Sequence, residues 1–87
     1  MPYEEEAFLD DIRNVFLENN VDILSCDYYH ETNYGVRYFC VDIEIDDEDE
    51  ADFGNILFDE LNDICANYDG ARLDAHGCTY ELALDLS

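Results

Sequence analysis

The segment that decides the fold is Val36–Asp52, which reads VRYFCVDIEIDDEDEAD. Within it polar and apolar side chains alternate, and the apolar positions are Phe39, Val41, Ile43 and Ile45. A period of two predicts a β-strand with one buried and one exposed face. The exposed face carries Asp42 and Glu44, and the strand leads into the acid run Asp46–Glu50 and Asp52. The rest of the chain therefore has to accommodate a strand that is apolar on one side and acidic on the other.

Two stretches with apolar residues three and four positions apart predict amphipathic helices. The first stripe consists of Phe8, Leu9, Ile12, Val15 and Phe16, and the second of Phe53, Ile56, Leu57, Leu61, Ile64, Cys65 and Tyr68. Pro2 and Glu4–Glu6 favour the start of the first helix, and Asn19–Asn20 favours its end. Asp52 is the predicted N-cap of the second helix, and Asn67–Gly70 is typical of a helix stop.

The remaining segments predict three more strands. Val21–His30 is apolar and aromatic, and Glu31–Gly35 after it is typical of a hairpin loop. Ala71–Ala75 predicts a short strand, His76–Gly77 a turn, and Cys78–Leu86 an alternating strand.

The order α-β-β-α-β-β predicts an α+β fold in which a small antiparallel sheet carries two helices on one face. The other face would be exposed to solvent and would show Asp42, Glu44, Glu81 and Asp85 beside Tyr38. We find no linker or internal repeat, so residues 1–87 are expected to form a single acidic domain.

The composition favours a folded protein. The chain has 87 residues, of which 48% are hydrophobic, and it contains seven tyrosines and five phenylalanines. Acidic disordered segments lack such a core-forming fraction. The sequence has no apolar run of membrane-spanning length and no signal-peptide pattern at its start, so a soluble, cytoplasmic protein is expected.

The net charge is the unusual property. The chain has 24 acids, three arginines and no lysine, which gives a net charge of −21. A compact chain of this size is about 30 Å across, so its charge corresponds to about one unit per 1.5 Å of that span. Duplex DNA carries about one charge per 1.7 Å of its axis. Solubility requires a net charge of only about 2 to 8 on a small domain, so we infer that the charge has another role.

The cysteines and histidines do not predict a metal site. Cys26, Cys40, Cys65 and Cys78 include no CxxC pair, and the spacing of His30 and His76 to them does not match a zinc motif. In a reducing compartment such cysteines are expected to be small buried hydrophobic residues. A disulfide and a metal site are the less favoured alternatives, and we expect no cofactor.

Other common functions are poorly supported. The acid run resembles a calcium loop, but aligning Gly54 with the glycine of an EF-hand places Ala51 and Phe53 where ligands are required. The sequence lacks a phosphate-binding loop, and carboxylate pairs are expected by chance among so many acids, so we expect no enzymatic activity. Direct binding of nucleic acid is excluded because the sequence has no basic patch.

A partner-binding surface is the best supported prediction. Alternate residues of a strand lie about 6.7 Å apart on one face, so acids at that spacing form a regular row of anions. Such a row could pair with the lysines and arginines of a nucleic-acid-binding groove. The predicted partner-binding residues are Asp42, Glu44, Asp46, Asp47, Glu48, Asp49, Glu50, Asp52, Asp59, Glu60, Asp63 and Tyr38.

In its size, its charge, its lack of lysine and its carboxylate-lined strands, the whole chain resembles the acidic DNA-mimic proteins. Many of these are phage-encoded inhibitors of restriction enzymes or CRISPR effectors. The resemblance implies a non-catalytic anti-CRISPR or anti-restriction inhibitor that occupies the DNA- or RNA-binding groove of a basic partner. It also implies action in the cytoplasm of a bacterial or archaeal host. The predicted sheet has free strand edges, so the chain is expected to be a monomer or a homodimer paired through such an edge.

Two alternatives remain open from the sequence. The chain could be a small adaptor that binds a basic protein through a sheet edge or a tyrosine-rich patch without mimicking nucleic acid. It could also be a structural domain adapted to high salt, although its many large apolar residues argue against that interpretation.

Overall fold

The computed structural model describes residues 3–86, so Pro2, whose place in the first helical turn was predicted, lies outside the described residues. The elements are α1 (Tyr3–Glu18), β1 (Ile23–Asn33), β2 (Val36–Ile45), α2 (Asp47–Ala66), β3 (Ala71–His76) and β4 (Thr79–Asp85). The strands form one antiparallel sheet in the order β1-β2-β4-β3. The predicted α+β fold and its element order are confirmed. None of the helices within residues 3–86 has the length and apolar character needed to cross a membrane.

One hydrophobic cluster joins both helices to one face of the sheet. The predicted stripe of α1 is buried, and so are Leu57, Leu61 and Cys65 of α2. From the sheet, the register of β2 and β4 brings together three buried pairs, Phe39 with Leu84, Val41 with Leu82, and Ile43 with Tyr80. All of these side chains belong to the same cluster. We call this helix-covered side the inner face and the opposite side the outer face.

The first hairpin is longer than the sequence predicted. Strand β1 runs to Asn33, and only Tyr34 and Gly35 form the turn, so the predicted loop Glu31–Gly35 is wrong in length. Both turn residues have positive φ, 52° and 78°, as a type I′ turn requires. This turn matches the right-handed twist of the strands, which allows the pairing to continue to Asn33. At the other end a register shift between Ile23 and Ser25 marks a β-bulge.

Helix α2 begins six residues earlier than predicted. Asp46, and not Asp52, is the N-cap: its backbone is extended and its side chain accepts a hydrogen bond from the backbone N–H of Glu48 at 3.1 Å. Asp47–Glu50 then form the first turn, where their charges face the positive end of the helix dipole. Strand β2 therefore ends before the acid run, while the end of α2 at Asn67 agrees with the prediction.

The second hairpin is shifted by one residue from its prediction. Strand β3 continues through His76, and Gly77 and Cys78 form the turn, so β4 begins at Thr79. Gly77 has a φ of 58°, a conformation that glycine adopts at no steric cost. The Ile45 N–H donates to the Cys78 carbonyl oxygen at 3.0 Å, which joins this turn to the end of β2.

Candidate functional site

Four carboxylates form a row across the middle of the outer face. Asp27 on β1 is opposite Asp42 on β2, Asp42 is opposite Glu81 on β4, and Glu81 is opposite Asp74 on β3. Every strand of the sheet thus contributes one acid. Neighbouring strands are about 4.8 Å apart, so the row spans about 14 Å. We refer to these four residues as the carboxylate row.

Further acids border the carboxylate row on the same face. Glu44 lies two residues along β2, in line with Thr79, and Glu31 and Asp85 lie on either side of Tyr38. The predicted outer-face acids Asp42, Glu44, Glu81 and Asp85 therefore do share one side of the sheet with Tyr38. Of the carboxylate row, only Asp42 was among the predicted partner-binding residues. That set lacked Asp27, Glu31, Asp74, Glu81 and Asp85, although Glu81 and Asp85 were expected on this face.

The basic groups on the outer face are already engaged. Arg72, the one arginine or lysine that the described residues place on this face, has its guanidinium carbon 5.2 Å from the centroid of the Tyr38 ring. This distance is within the range of a cation–π interaction. His76 Nε2 lies 3.1 Å from Glu81 Oε2 at the end of the sheet. The face thus stays acidic, and Tyr38 already binds one guanidinium.

Tyr29 and Cys40 lie beside the carboxylate row and remain uncharged. Burial, together with the negative charge of Asp42, raises the pKa of Tyr29 to about 12. Burial and the charges of Glu31 and Asp42 raise the pKa of the Cys40 thiol. A thiol with a raised pKa has little reactive thiolate at neutral pH. Tyr29 and Cys40 line a pocket together with Arg72, Asp74 and Glu81, and neither of them supplies a reactive phenolate or thiolate there at neutral pH.

Part of the acid run has a structural role. Asp46 caps α2, Glu50 accepts a hydrogen bond from the buried Tyr80 hydroxyl, and Asp47 Oδ1 accepts from Cys78 Sγ at 2.7 Å. The bond to Asp47 is the main reason that the pKa of Cys78 rises to about 11. The other predicted binding residues of the run are Glu48 and Asp52, which are exposed, and Asp49, which is half-buried.

The predicted acids of α2 do not extend the row along β2. Helix α2 packs on the inner face, and Asp59 and Asp63 are exposed on its other side, away from the sheet. Glu60 accepts a hydrogen bond from the Asn19 side chain at 2.6 Å, which links α2 to the end of α1. The predicted partner-binding residues therefore do not form one continuous surface, because the cap at Asp46 turns the chain onto the other face of the sheet.

One buried carboxylate, that of Glu5, was not predicted from the sequence. Glu5 is only 1% exposed, and its Oε1 contacts Nε2 of His30 on β1. From the sequence, Glu5 was expected only to favour the start of α1 through the helix dipole. A signal was present, since Glu5 lies three and four residues before Phe8 and Leu9 and so continues the apolar stripe of α1.

The four cysteines are free thiols. Cys40 and Cys65 are buried, so the predicted role as small buried hydrophobic residues is confirmed for these two. Cys26 and Cys78 are half-buried. The alternative of a disulfide is not observed. Within residues 3–86, no three His, Cys, Asp or Glu side chains come together in a cluster that could hold a metal ion.

Comparison with known proteins provides no family assignment. No family model matches the chain, and no curated protein matches it either.

Proposed function

We propose that this protein is a non-catalytic inhibitor that occupies the positively charged DNA- or RNA-binding groove of a partner protein. The observation that carries the proposal is the carboxylate row, one acid from each strand, on a face bordered by three more acids. A partner of this kind, such as a CRISPR effector or a restriction enzyme, presents lysines and arginines positioned for phosphates. Carboxylates held on a rigid sheet can meet the same groups.

The row is unfavourable for folding, which supports a role in binding. Like charges directly opposite each other on neighbouring strands destabilise a sheet. The row contains three such contacts in succession, and the chain has no lysine that could relieve them. Solubility could be supplied by acids placed anywhere on the surface, and it does not require this arrangement.

Binding would proceed in two stages. The net charge of −21 would attract a basic groove from a distance and accelerate the encounter, an effect that weakens as salt increases. Charge-assisted hydrogen bonds to the carboxylate row would then fix the orientation. Tyr38, which already stacks on Arg72, adds an aromatic ring close to the row.

Capture followed by displacement tests this function. The immobilised protein is exposed at low salt to a lysate of bacterial cells that contain CRISPR and restriction systems. Bound proteins are eluted first with salt and then with duplex DNA or RNA, with polyglutamate at equal charge as the control polyanion. We expect a nucleic-acid-binding protein that resists moderate salt, is released by nucleic acid and is released poorly by polyglutamate.

Two variants with equal charge provide the matched control. The row variant carries Asp27→Asn, Asp42→Asn, Asp74→Asn and Glu81→Gln. The helix variant carries Glu4→Gln, Asp10→Asn, Asp59→Asn and Asp63→Asn, all at exposed positions on the helices. The row variant should lose the captured protein and the helix variant should retain it. If both variants lost the captured protein to the same extent, the interaction would be non-specific electrostatic attraction, and the proposal would be contradicted.

The order of addition separates mimicry from an adaptor function. A mimic cannot bind a partner whose groove is already filled with nucleic acid, whereas an adaptor that binds elsewhere can do so. Formation of a ternary complex of partner, nucleic acid and this protein would contradict the proposal.

A further inference from the structure

The outer edge of β1 is unpaired and long. Strand β1 is the first strand of the sheet order, so only its β2 side is hydrogen-bonded within the described chain. It has 11 residues, nine of them exposed, and a strand of that length extends for about 36 Å. The longest dimension of the molecule is 38 Å, so this edge is comparable in length to the whole protein.

The hairpin turn determines which backbone groups face the open edge. In a hairpin with a two-residue turn, the residues that flank the turn exchange both hydrogen bonds, and the pattern then alternates along the strands. Asn33 and Val36 flank the turn, so the odd-numbered residues of β1 bond to β2. The even-numbered residues Cys26, Tyr28, His30 and Thr32 therefore direct their N–H and C=O groups outward.

The side chains along this edge are acidic on one face and aromatic on both. Asp27 and Glu31 lie on the outer face, with Tyr29 between them, and Tyr28 lies on the inner side. Tyr28 is 49% exposed and Tyr29 is 43% exposed. The edge lacks lysine and proline, two residues with which proteins commonly protect open edges.

We propose that β1 is a docking edge on which a basic, extended segment of the partner adds as a fifth strand. The proposal deepens the function proposed above and rests on it, because the basic character of the partner follows from that function. Strand addition satisfies the outward N–H and C=O groups, and side-chain pairing supplies specificity. A second copy of this chain is disfavoured as the occupant by the charge of −21 on each copy.

The geometry specifies the sequence of the added segment. An antiparallel strand would hydrogen-bond to the even-numbered residues, so Asp27, Tyr29 and Glu31 would occupy the positions where opposing side chains are closest. The segment therefore has Lys or Arg at two positions four residues apart, opposite Asp27 and Glu31. Between them, opposite Tyr29, it has a β-branched or aromatic residue. Opposite-charge and aromatic pairs of this kind stabilise antiparallel strands.

The other edge of the sheet is less suitable. Strand β3 has only six residues, and its hairpin leaves three of them, Ala71, Leu73 and Ala75, with outward backbone groups. It also carries Arg72, a positive charge that a basic segment would avoid. The two edges thus differ in length and in charge, and both differences favour β1.

A pair of peptides with equal charge tests the proposal. The probe is acetyl-Thr-Lys-Thr-Val-Thr-Lys-Thr-amide, and the control is the same peptide with both central threonines N-methylated. N-methylation removes the donors that strand addition needs and leaves the charge unchanged. Each peptide is titrated into the full-length protein, with the dissociation constant and the hydrogen exchange of β1 amides measured by NMR.

We expect the probe to bind at least about fivefold more tightly than the methylated control and to slow the exchange of the Cys26, Tyr28 and His30 amides about tenfold. Asp27→Asn with Glu31→Gln should weaken the probe about tenfold, and Asp59→Asn with Asp63→Asn less than about twofold. Equal binding of both peptides, or unchanged exchange on β1, would overturn the proposal.

Failure of the docking proposal can be distinguished from failure of the proposed inhibitor function. Protection of the β1 amides in the free protein, together with sedimentation as a dimer, would assign the edge to a second copy and also overturn the docking proposal. Release of the captured partner by nucleic acid does not depend on the edge. The edge proposal can therefore fail while the inhibitor function holds, and a partner that nucleic acid does not displace refutes the function directly.

Discussion

Asp42 on β2 and Glu81 on β4 lie directly opposite each other in the sheet, two acids at one cross-strand position. The neighbouring backbone bonds from Ile45 to Cys78 and from Leu86 to Arg37 show that odd-numbered residues of β2 bond to the β4 side. Asp42 and Glu81 are therefore a non-hydrogen-bonded pair, whose Cα atoms are about 4.5 Å apart and whose side chains are at their closest. Asp27 and Asp74 extend this contact to both edges of the sheet.

The row variant should fold more stably than the native protein. It removes the three cross-strand contacts between acids, each worth about 0.2 to 1 kcal/mol, so a gain of about 1 kcal/mol is expected. For a domain of this size that corresponds to an increase in Tm of about 5 °C in a thermal melt. The helix variant removes four charges as well, including the repulsion between Asp59 and Asp63 one helical turn apart, and should gain less than half as much. A row variant that is less stable than the native protein would refute the view that the row opposes folding.

Asp46→Ala should destabilise the protein by about 1 kcal/mol, because Asp46 and not Asp52 caps α2. Asp52→Ala at an exposed position of the helix interior should change the free energy of unfolding by less than about 0.5 kcal/mol. Urea unfolding followed by circular dichroism measures both. A larger loss of stability for Asp52→Ala than for Asp46→Ala would instead identify Asp52 as the N-cap, as the sequence predicted.

His30→Ala should be markedly destabilising, because it leaves the carboxylate of Glu5 buried without its partner. A loss of about 2 kcal/mol is expected for a buried group that is deprived of its hydrogen bond. His76→Ala is the matched control, since the His76–Glu81 pair is exposed and such pairs contribute about 0 to 1 kcal/mol. Similar free energies of unfolding for both variants would show that the Glu5 contact contributes little.

The protein should lose stability as the pH rises above about 9. The pKa of Cys78 is raised from 9.0 to about 11. The pKa values of Tyr29 and Tyr68 are both raised from 10.0 to about 12. The unfolded chain therefore loses these protons first, and the stability they contribute is complete below pH 9 and lost up to about pH 12. Thermal melts from pH 7 to pH 11 measure this decline. Asp47→Asn should lower the pKa of Cys78 and accelerate its alkylation by iodoacetamide at pH 8.5, whereas an unchanged rate would contradict the role of Asp47.

The helices and strands could be predicted from the sequence, but the carboxylate row could not. Period-two and helical patterns predict all six elements, because apolar burial determines them. The pairing of Asp27 with Asp42 could also have been predicted if Tyr34–Gly35 had been identified as a two-residue turn, since the turn sets the register. The pairing of Asp42 with Glu81 could not, because the long helix α2 separates β2 from β4 and no local rule relates their positions.

The acid run illustrates a competition between two local rules. Alternation favours continuing β2 through Asp46, while acids favour the first turn of a helix. The helix begins at Asp47 because Asp46 accepts the hydrogen bond from the Glu48 N–H. A sequence rich in acids offers several possible caps, and Asp52 satisfied the same pattern. The choice among them depends on how α2 packs against the sheet, which is tertiary information.

The most direct test of the central claim is the dissociation constant of the captured partner for the native protein, the row variant and the helix variant, with and without saturating nucleic acid. We predict that the row variant binds at least about tenfold more weakly, a loss of about 1.4 kcal/mol. The helix variant should stay within about threefold of the native protein, and nucleic acid should abolish binding of all three. Equal affinities of the two variants, or full binding in the presence of nucleic acid, would contradict the assignment of the carboxylate row as a mimic of nucleic acid.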